Sequence, residues 1–162
     1  PWDNRWGSFQ SYHPQMRLAD VYLMYAEAVL HGYGSPLSQS PGAALTAVDA
    51  VNAIRNRATL PNLANKYTAS KDAFMKEIIR ERAVEFAFEG HRFFDLRRWN
   101  IAGNAEYLQK TAIDFDRGAN GKPTNLKERV VVTRVFEKRH NWLPFQLKDT
   151  KLYEGFPQNP GW

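Results

Sequence analysis

Apolar residues recur at three- and four-residue steps in three stretches of the chain, the spacing that gathers them on one face of a helix. In the first, Arg17 to His31, Leu18, Val21, Tyr22, Tyr25 and Val29 form one side and Ala19, Leu23, Ala26 and Leu30 another. A helix apolar nearly all round is expected to be buried from several directions. Its alanines at 19, 26 and 28 leave room for a close neighbour. The second stretch, Ala43 to Ala58, presents Ala44, Val48, Val51 and Ile54, and Pro61 follows as a stop. Between them, glycines and a Ser-Pro step from Gly32 to Gly42 predict a loop, so the two helices form a hairpin. The third stretch, Phe74 to Trp99, carries Phe74, Met75, Ile78, Ile79, Ala83, Phe86 and Ala87 on its apolar side, with Ser70 placed as an N-cap. Gly90 interrupts it at a cost of about 1 kcal/mol relative to alanine, which predicts a bend or a fresh start there.

The third stretch also holds charges that cannot all face water. Glu77, Glu81, Glu85 and Glu89 follow one another at four-residue steps and repel if left alone. Counter-charges stand at three-residue offsets: Arg80 for Glu77, Arg82 for Glu85, Arg92 for Glu89 and Arg98 for Asp95, with Arg55 and Arg57 available from the preceding helix. Phe86, Phe88, Phe93, Phe94 and Trp99 crowd the same region and are expected to shield part of the ions. Glu81, Arg82, Glu85, Glu89, Arg92, Asp95 and Arg98 are therefore read as a structural ion network.

Outside these helices the pattern is weaker. Residues 1–16 are rich in Trp, Tyr, Asn and Ser, with Pro14 near their end, and read as an extended entry segment. Trp2-Asp3-Asn4-Arg5-Trp6 has the composition of a sugar-binding loop, in which a ring stacks on the apolar face of a pyranose while polar neighbours bond its hydroxyls. Trp2 and Trp6 are the ligand-binding candidates on that ground. The alternative is that these rings pack on the first helix or on residues further upstream. Beyond Ala102 glycine, asparagine, lysine and proline dominate; Gly118 to Pro123 predicts a turn, Glu128 to Lys138 a strand, and the prolines at 144, 157 and 160 an extended ending. The expected organisation is one domain over 1–162, with an entry segment (1–16), a helical core (17–101) and a loop-rich wrap (102–162). Its class is mainly α, built of stacked antiparallel helix hairpins with little strand.

Composition narrows the choices of function. A length of 162 residues with 43% hydrophobic content suits one core, and no apolar run is long enough for a spanning helix. The net charge of +5 points towards nucleic acid or an anionic surface only if the cations cluster. They are dispersed among 17 acids, and the densest run, Lys127 to Arg139, alternates with valines as a solvated strand would. Without cysteine there is no disulfide, thiol chemistry or thiolate-held metal. The first residue is Pro1 and no charged-then-apolar leader follows it, so any targeting information is expected upstream.

Catalytic patterns are missing as well. Glu81, Glu85 and Glu89 could serve as an acid/base pair for glycoside hydrolysis or as metal ligands, but their arginine neighbours argue for ion pairing. A di-iron bundle wants Glu followed three residues on by His, whereas Phe88 follows Glu85 and Arg92 follows Glu89. Asp114-x-Asp116-x-Gly118 fails as a calcium loop, with glycine at the fifth position and Asn125 at the twelfth. The histidines at 13, 31, 91 and 140 are scattered, and no phosphate or dinucleotide fingerprint occurs. No enzyme activity, cofactor or metal is expected.

Four motifs in order resemble one family. The run Glu81-Arg82-x-x-Glu85-Phe86-x-Phe88-Glu89-Gly90-His91-Arg92-Phe93-Phe94-Asp95-Leu96-Arg97-Arg98-Trp99 is similar to the ERxxEFxFEGxRxxDLxRW signature of the SusD/RagB family of Bacteroidetes nutrient-binding lipoproteins. The stretch from Arg17 to Ala28 resembles that family's RLAEVYLNYAEA helix, Val51 to Ala58 its VNxIRxRA, and Pro157 to Trp162 its terminal QNPGY, with Trp for Tyr. Trp142-Leu143-Pro144-Phe145 departs from the family's WPIP-like segment. The resemblance implies a tetratricopeptide-like scaffold within a non-catalytic, surface-exposed outer-membrane protein. It further implies an oligosaccharide or polysaccharide ligand, a SusC-like TonB-dependent transporter as partner, and membrane attachment through an upstream lipid anchor alone. The alternative is a helical-repeat scaffold that grips a peptide or protein and binds no sugar.

Overall fold

A computed structural model of the chain describes residues 16–162; the candidates Trp2 and Trp6 lie outside the described residues. Among those described, the order is α1 (Leu18–Tyr33), α2 (Ala47–Arg57), α3 (Asn65–Thr68), α4 (Lys71–Glu85), α5 (His91–Arg98), α6 (Ala105–Leu108), β1 (Gln109–Arg117) and β2 (Pro123–Thr133). Two short 3-10 turns follow, Lys138–Asn141 and Asp149–Lys151. The chain is mainly helical and divides into two compact units, one ending at Glu89 and one beginning at Gly90. Each is described by itself.

In the first unit α1 packs on α2 and α4. Ala19, Leu23, Ala26, Val29 and Leu30 of α1 close over Ala47, Ala50, Val51 and Ile54 of α2 and Phe74 and Ile78 of α4, all of them buried. Each large side chain sealed in this way contributes about 1.5–3 kcal/mol. Helix directions follow from the ions. Arg17 meets Glu85 and Asp20 meets Arg82, so α1 runs antiparallel to α4. Arg55 meets Glu81 and Arg57 meets Glu85, so α2 and α4 run the same way.

The helix boundaries differ from the pattern's forecast for local reasons. The second helix starts at Ala47, four residues after Ala43, because Thr46 and Asp49 form a reciprocal capping box in which Asp49 N donates to Thr46 Oγ1 and Thr46 N to Asp49 Oδ2. Alanine-rich sequence before the cap is drawn instead into a turn and a bridge between Gln39 and Thr46. Ser70 does cap α4, accepting from Ala73 N at 3.1 Å. The long third stretch is two helices. The first stops at Glu85, and Gly90, at a φ of +83°, opens the second, a backbone conformation in which a side chain would be strained. Glu89 thus lies past the end of α4, and only Glu77, Glu81 and Glu85 share its carboxylate stripe.

The second unit holds a strand that the sequence reading missed. Instead of one short strand from Glu128 to Lys138, β1 and β2 form an antiparallel hairpin, and β2 begins at Pro123 and ends at Thr133. The predicted turn is its tip, where Gly118 N donates to the Lys122 carbonyl at 2.9 Å. Two register shifts, near Lys110 and between Asp114 and Asp116, twist the ladder. From Trp142 onwards the chain is clasped by its own ending. Gln158 Oε1 accepts from Phe145 N at 2.7 Å while its Nε2 donates to the Phe145 carbonyl at 3.0 Å, and Asn159 Nδ2 donates to the Leu143 carbonyl at 2.6 Å.

Candidate functional site: an ion lattice and a basic pocket

In the first unit, positions one and two helical turns apart on α4 place Glu77, Glu81 and Glu85 beside cations supplied by the other helices. Glu77 accepts from Arg80 at 2.5 Å, and Arg55 and Arg80 converge on Glu81. Glu85 accepts from Arg17 at 2.6 Å and from Arg57 at 2.7 Å, and Glu89 from Arg17 at 2.7 Å. Arg82 turns towards α1 and donates to Asp20 Oδ1 at 2.8 Å. Asp20, Glu77, Glu81, Glu85 and Glu89 are thereby matched by Arg17, Arg55, Arg57, Arg80 and Arg82, five charges of each sign.

The lattice has a dry centre, with the Arg82 side chain 4% and that of Glu77 3% exposed, and a wet rim where Arg57 and Arg80 reach water. The buried ring of Phe86 takes the guanidinium of Arg17 at 4.8 Å and that of Arg82 at 5.2 Å. Hydrogen bonds to Glu89 and then Glu85 push the Arg17 pKa up, and the bond to Glu77 does the same for Arg80. Cations held this way stay charged throughout the accessible pH range.

Sequence offsets predicted part of this arrangement. Arg80 stands on Glu77 and Arg98 on Asp95, the latter at 2.8 Å in the second unit. The partners at Glu85 come from elsewhere: Arg17 precedes α1 and Arg57 ends α2, a pairing across 68 and 28 residues that spacing within one helix cannot reveal. Asp20 and Arg17 were the members that offsets overlooked. Arg92 lies in the second unit, with its guanidinium 5.1 Å from the Tyr107 ring centre. Burial raises the Tyr107 pKa. Among the described residues, no group of three His, Asp or Glu side chains is arranged to hold a metal ion.

A second feature, unforeseen from the sequence, is a pocket of about 640 Å³ lying wholly within the second unit. The end of α5 supplies Arg97 and Arg98, and Asn100 follows in a left-handed turn at a φ of +56°. Lys138, Arg139 and Asn141 come from the first 3-10 turn, with Trp142 just after it. Pro160 and Gly161 of the ending complete the wall. Gly161 sits at a φ of +88°, and a Cβ there would fall 2.8 Å from Arg139 Cβ, so the close approach needs glycine. Trp162 fixes this corner by donating from Nε1 to the carbonyls of Arg139 and Trp142 at 3.1 and 3.0 Å.

Electrostatically the pocket is one-sided. Arg98 is paired with Asp95, and Arg139 with Glu137 at 2.9 Å. Arg97 has different company. It donates to the carbonyls of His140 and Phe93 at 3.1 and 3.0 Å, its guanidinium lies 3.5 Å from the Phe93 ring centre, and burial lowers its pKa. Among the described residues neither Arg97 nor Lys138 has a carboxylate partner. Asn141 Nδ2 donates to Asn100 Oδ1 and to the Lys138 carbonyl, which leaves Asn141 Oδ1 buried without a hydrogen-bond partner in the same set.

The SusD family model matches residues 4–162. A SusD-like protein of Bacteroides ovatus is 39% identical over 84 residues, covering 52% of this chain and 13% of that protein. The crystal structure of a SusD-like protein from Bacteroides fragilis superposes with a TM-score of 0.68 at 29% identity, over 91% of this chain and 25% of that one. The chain therefore spans about a quarter or less of the length of these relatives. From motif order, helix packing and a match over nearly all its residues, the chain belongs to the SusD family.

Proposed function

We propose that this chain is part of a non-catalytic, surface-exposed nutrient-binding protein that captures oligosaccharides and delivers them to a SusC-like TonB-dependent transporter in the outer membrane. Attachment to the membrane is through a lipid anchor, and the chain contributes the helical scaffold. The observation that carries this reading is membership of the SusD family across residues 4–162. The ion lattice supports the non-catalytic part. A general acid or base needs a proton to exchange with substrate, whereas Glu81 and Glu85 are engaged by guanidiniums and Glu81 is buried. Their role, with Arg82, Glu89, Arg92, Asp95 and Arg98, is to hold the fold. Trp2 and Trp6 remain the ligand candidates of the entry segment.

The test is calorimetry of the full-length protein against a panel of neutral and acidic oligosaccharides, with copurification of the transporter from outer membranes in parallel. Heat with at least one glycan, recovery of the transporter and no released sugar are expected. Transporter recovery without glycan heat would replace this reading by a scaffold that binds protein alone. Turnover that disappears in Glu85→Gln at an unchanged melting temperature would overturn the non-catalytic assignment.

A further inference from the structure

We propose that the pocket between the end of α5 and the Lys138–Asn141 turn binds an acidic sugar residue, one bearing a carboxylate or a sulfate ester. This rests on the nutrient-binding reading and deepens it by naming a ligand class. Three observations converge on it. First, four cations line the cavity and two of them are matched by Asp95 and Glu137, which leaves the charges of Arg97 and Lys138 without a carboxylate among the described residues. A guanidinium partly withdrawn from water with only carbonyls and the rings of Phe93 and Phe136 for company favours an anion, and its planar fork suits carboxylate and sulfate oxygens.

Second, the buried Asn141 Oδ1 lacks a donor, and leaving such an acceptor unmade is costly. A bare carboxylate or sulfate group brings acceptors only. A sugar acid brings the anion together with hydroxyl donors, so it answers both demands in one ligand. Third, Trp142 at the pocket wall is 63% exposed, presenting apolar ring surface on which a pyranose can stack. Its neighbour Trp162 is tied to two backbone carbonyls and covered by Arg139 at 5.0 Å, so Trp142 is the ring left for a ligand.

The cavity, at about 640 Å³, is of a size that accommodates a short oligosaccharide end. The test is calorimetry of the full-length protein with trigalacturonate, with a sulfated disaccharide, and with neutral oligosaccharides of matched length. At least one acidic ligand is expected to bind, with affinity falling as salt rises. Lys138→Gln and Trp142→Ala, both at exposed side chains, should each weaken that binding about tenfold, the worth of one charge-assisted bond or one stacked ring, without lowering the melting temperature.

Which acidic ligand wins tells carboxylate from sulfate. Binding of neutral glycans with no response to either acid would overturn this inference and leave the nutrient-binding reading standing. Silence with every glycan would overturn both. Acid binding unchanged in both variants would place the anion elsewhere and overturn the site. Full competition by inorganic sulfate at equal concentration would reduce it to a simple anion site and overturn the sugar.

Discussion

Phe74, Leu23, Leu30, Ile78 and Val51 are fully sealed in the first unit, whereas the second buries only Ala102 and Asp95 among its described residues and leaves Phe115, Val131, Leu147 and Tyr153 in the open. The same chain thus uses two ways of ordering its backbone. Up to Glu89, apolar faces on three helices remove one another from water, and charges that cannot escape the core are locked in matched sets. After Gly90, a hairpin and an extended ending are held by ladder bonds and by side chains that substitute for missing backbone partners. A two-stranded hairpin by itself is marginal in water, so clasps at its neighbour segments carry unusual weight. What this teaches is where ligand chemistry can reside. The lattice arginines of the first unit are already matched by carboxylates, while Arg97 and Lys138 at the pocket of the second are not, among the described residues.

The contrast is sharpest for deletion of a core ring. Phe74→Ala should lower unfolding stability by about 3–5 kcal/mol, the transfer and cavity terms together. Phe115→Ala on the open hairpin should stay within about 0.5 kcal/mol. Chemical denaturation of the full-length protein decides; equal losses at the two sites would erase the distinction between a packed and an unpacked unit.

Charges provide the next comparison. Arg82→Ala strands Asp20 beside an apolar core and should cost about 3–5 kcal/mol. Arg129→Ala breaks the pair with Asp114, whose side chains are both 58% exposed, and should cost no more than about 1 kcal/mol. Between them falls Glu85→Ala at about 1–3 kcal/mol, because Arg17 keeps Glu89 and Arg57 reaches water. Added salt should weaken the Arg129 pair and barely touch the Arg82 one, a difference that melting curves at low and high ionic strength would expose.

Periodicity made the helices readable, since one side of α1 (Ala19, Leu23, Ala26, Leu30) and Val51, Ile54, Phe74 and Ile78 are buried as their steps imply; α1 is not buried from several directions, because Leu18, Val21 and Met24 face outwards. The hairpin was half-readable. Valines at 130 to 132 mark β2, and the alternation of Ile113 and Phe115 with Asp114 and Asp116 was the signal for β1, masked by a glycine-rich neighbourhood. In the ion lattice Arg80 on Glu77 was legible from its offset, but Arg82 pairs with Asp20 and not with Glu85 as its offset suggested, and partners such as Arg17 were not legible, because only the packing of α1 on α4 brings positions 68 residues apart together. The basic pocket was invisible for the same reason. Its walls come from three segments between Arg97 and Gly161, and the dispersal of cations along the chain gave no hint that Arg97, Lys138 and Arg139 converge.

The smallest expected effect concerns the ending, whose Gln-Asn-Pro-Gly-Trp motif was legible as a signature and not as a device. Gln158 holds Phe145 as a neighbouring strand would, through one acceptor and one donor, and its Oε1 accepts from Asn159 N as well. These bonds are near water, so each contributes about 0.5–1.5 kcal/mol net, and part of any loss is restored by solvent. Gln158→Ala should therefore lower global stability by about 1 kcal/mol at most while releasing the Phe145 segment locally. Amide exchange reads the two apart: faster exchange at Phe145 with unchanged protection around Phe74 is expected. Gln158→Glu, which keeps the acceptor and removes the donor, should preserve the slow Phe145 amide. If Phe145 exchanges at the same rate in the wild type and in Gln158→Ala, the ending does not clasp the chain, and the second unit must owe its order to something other than these bonds.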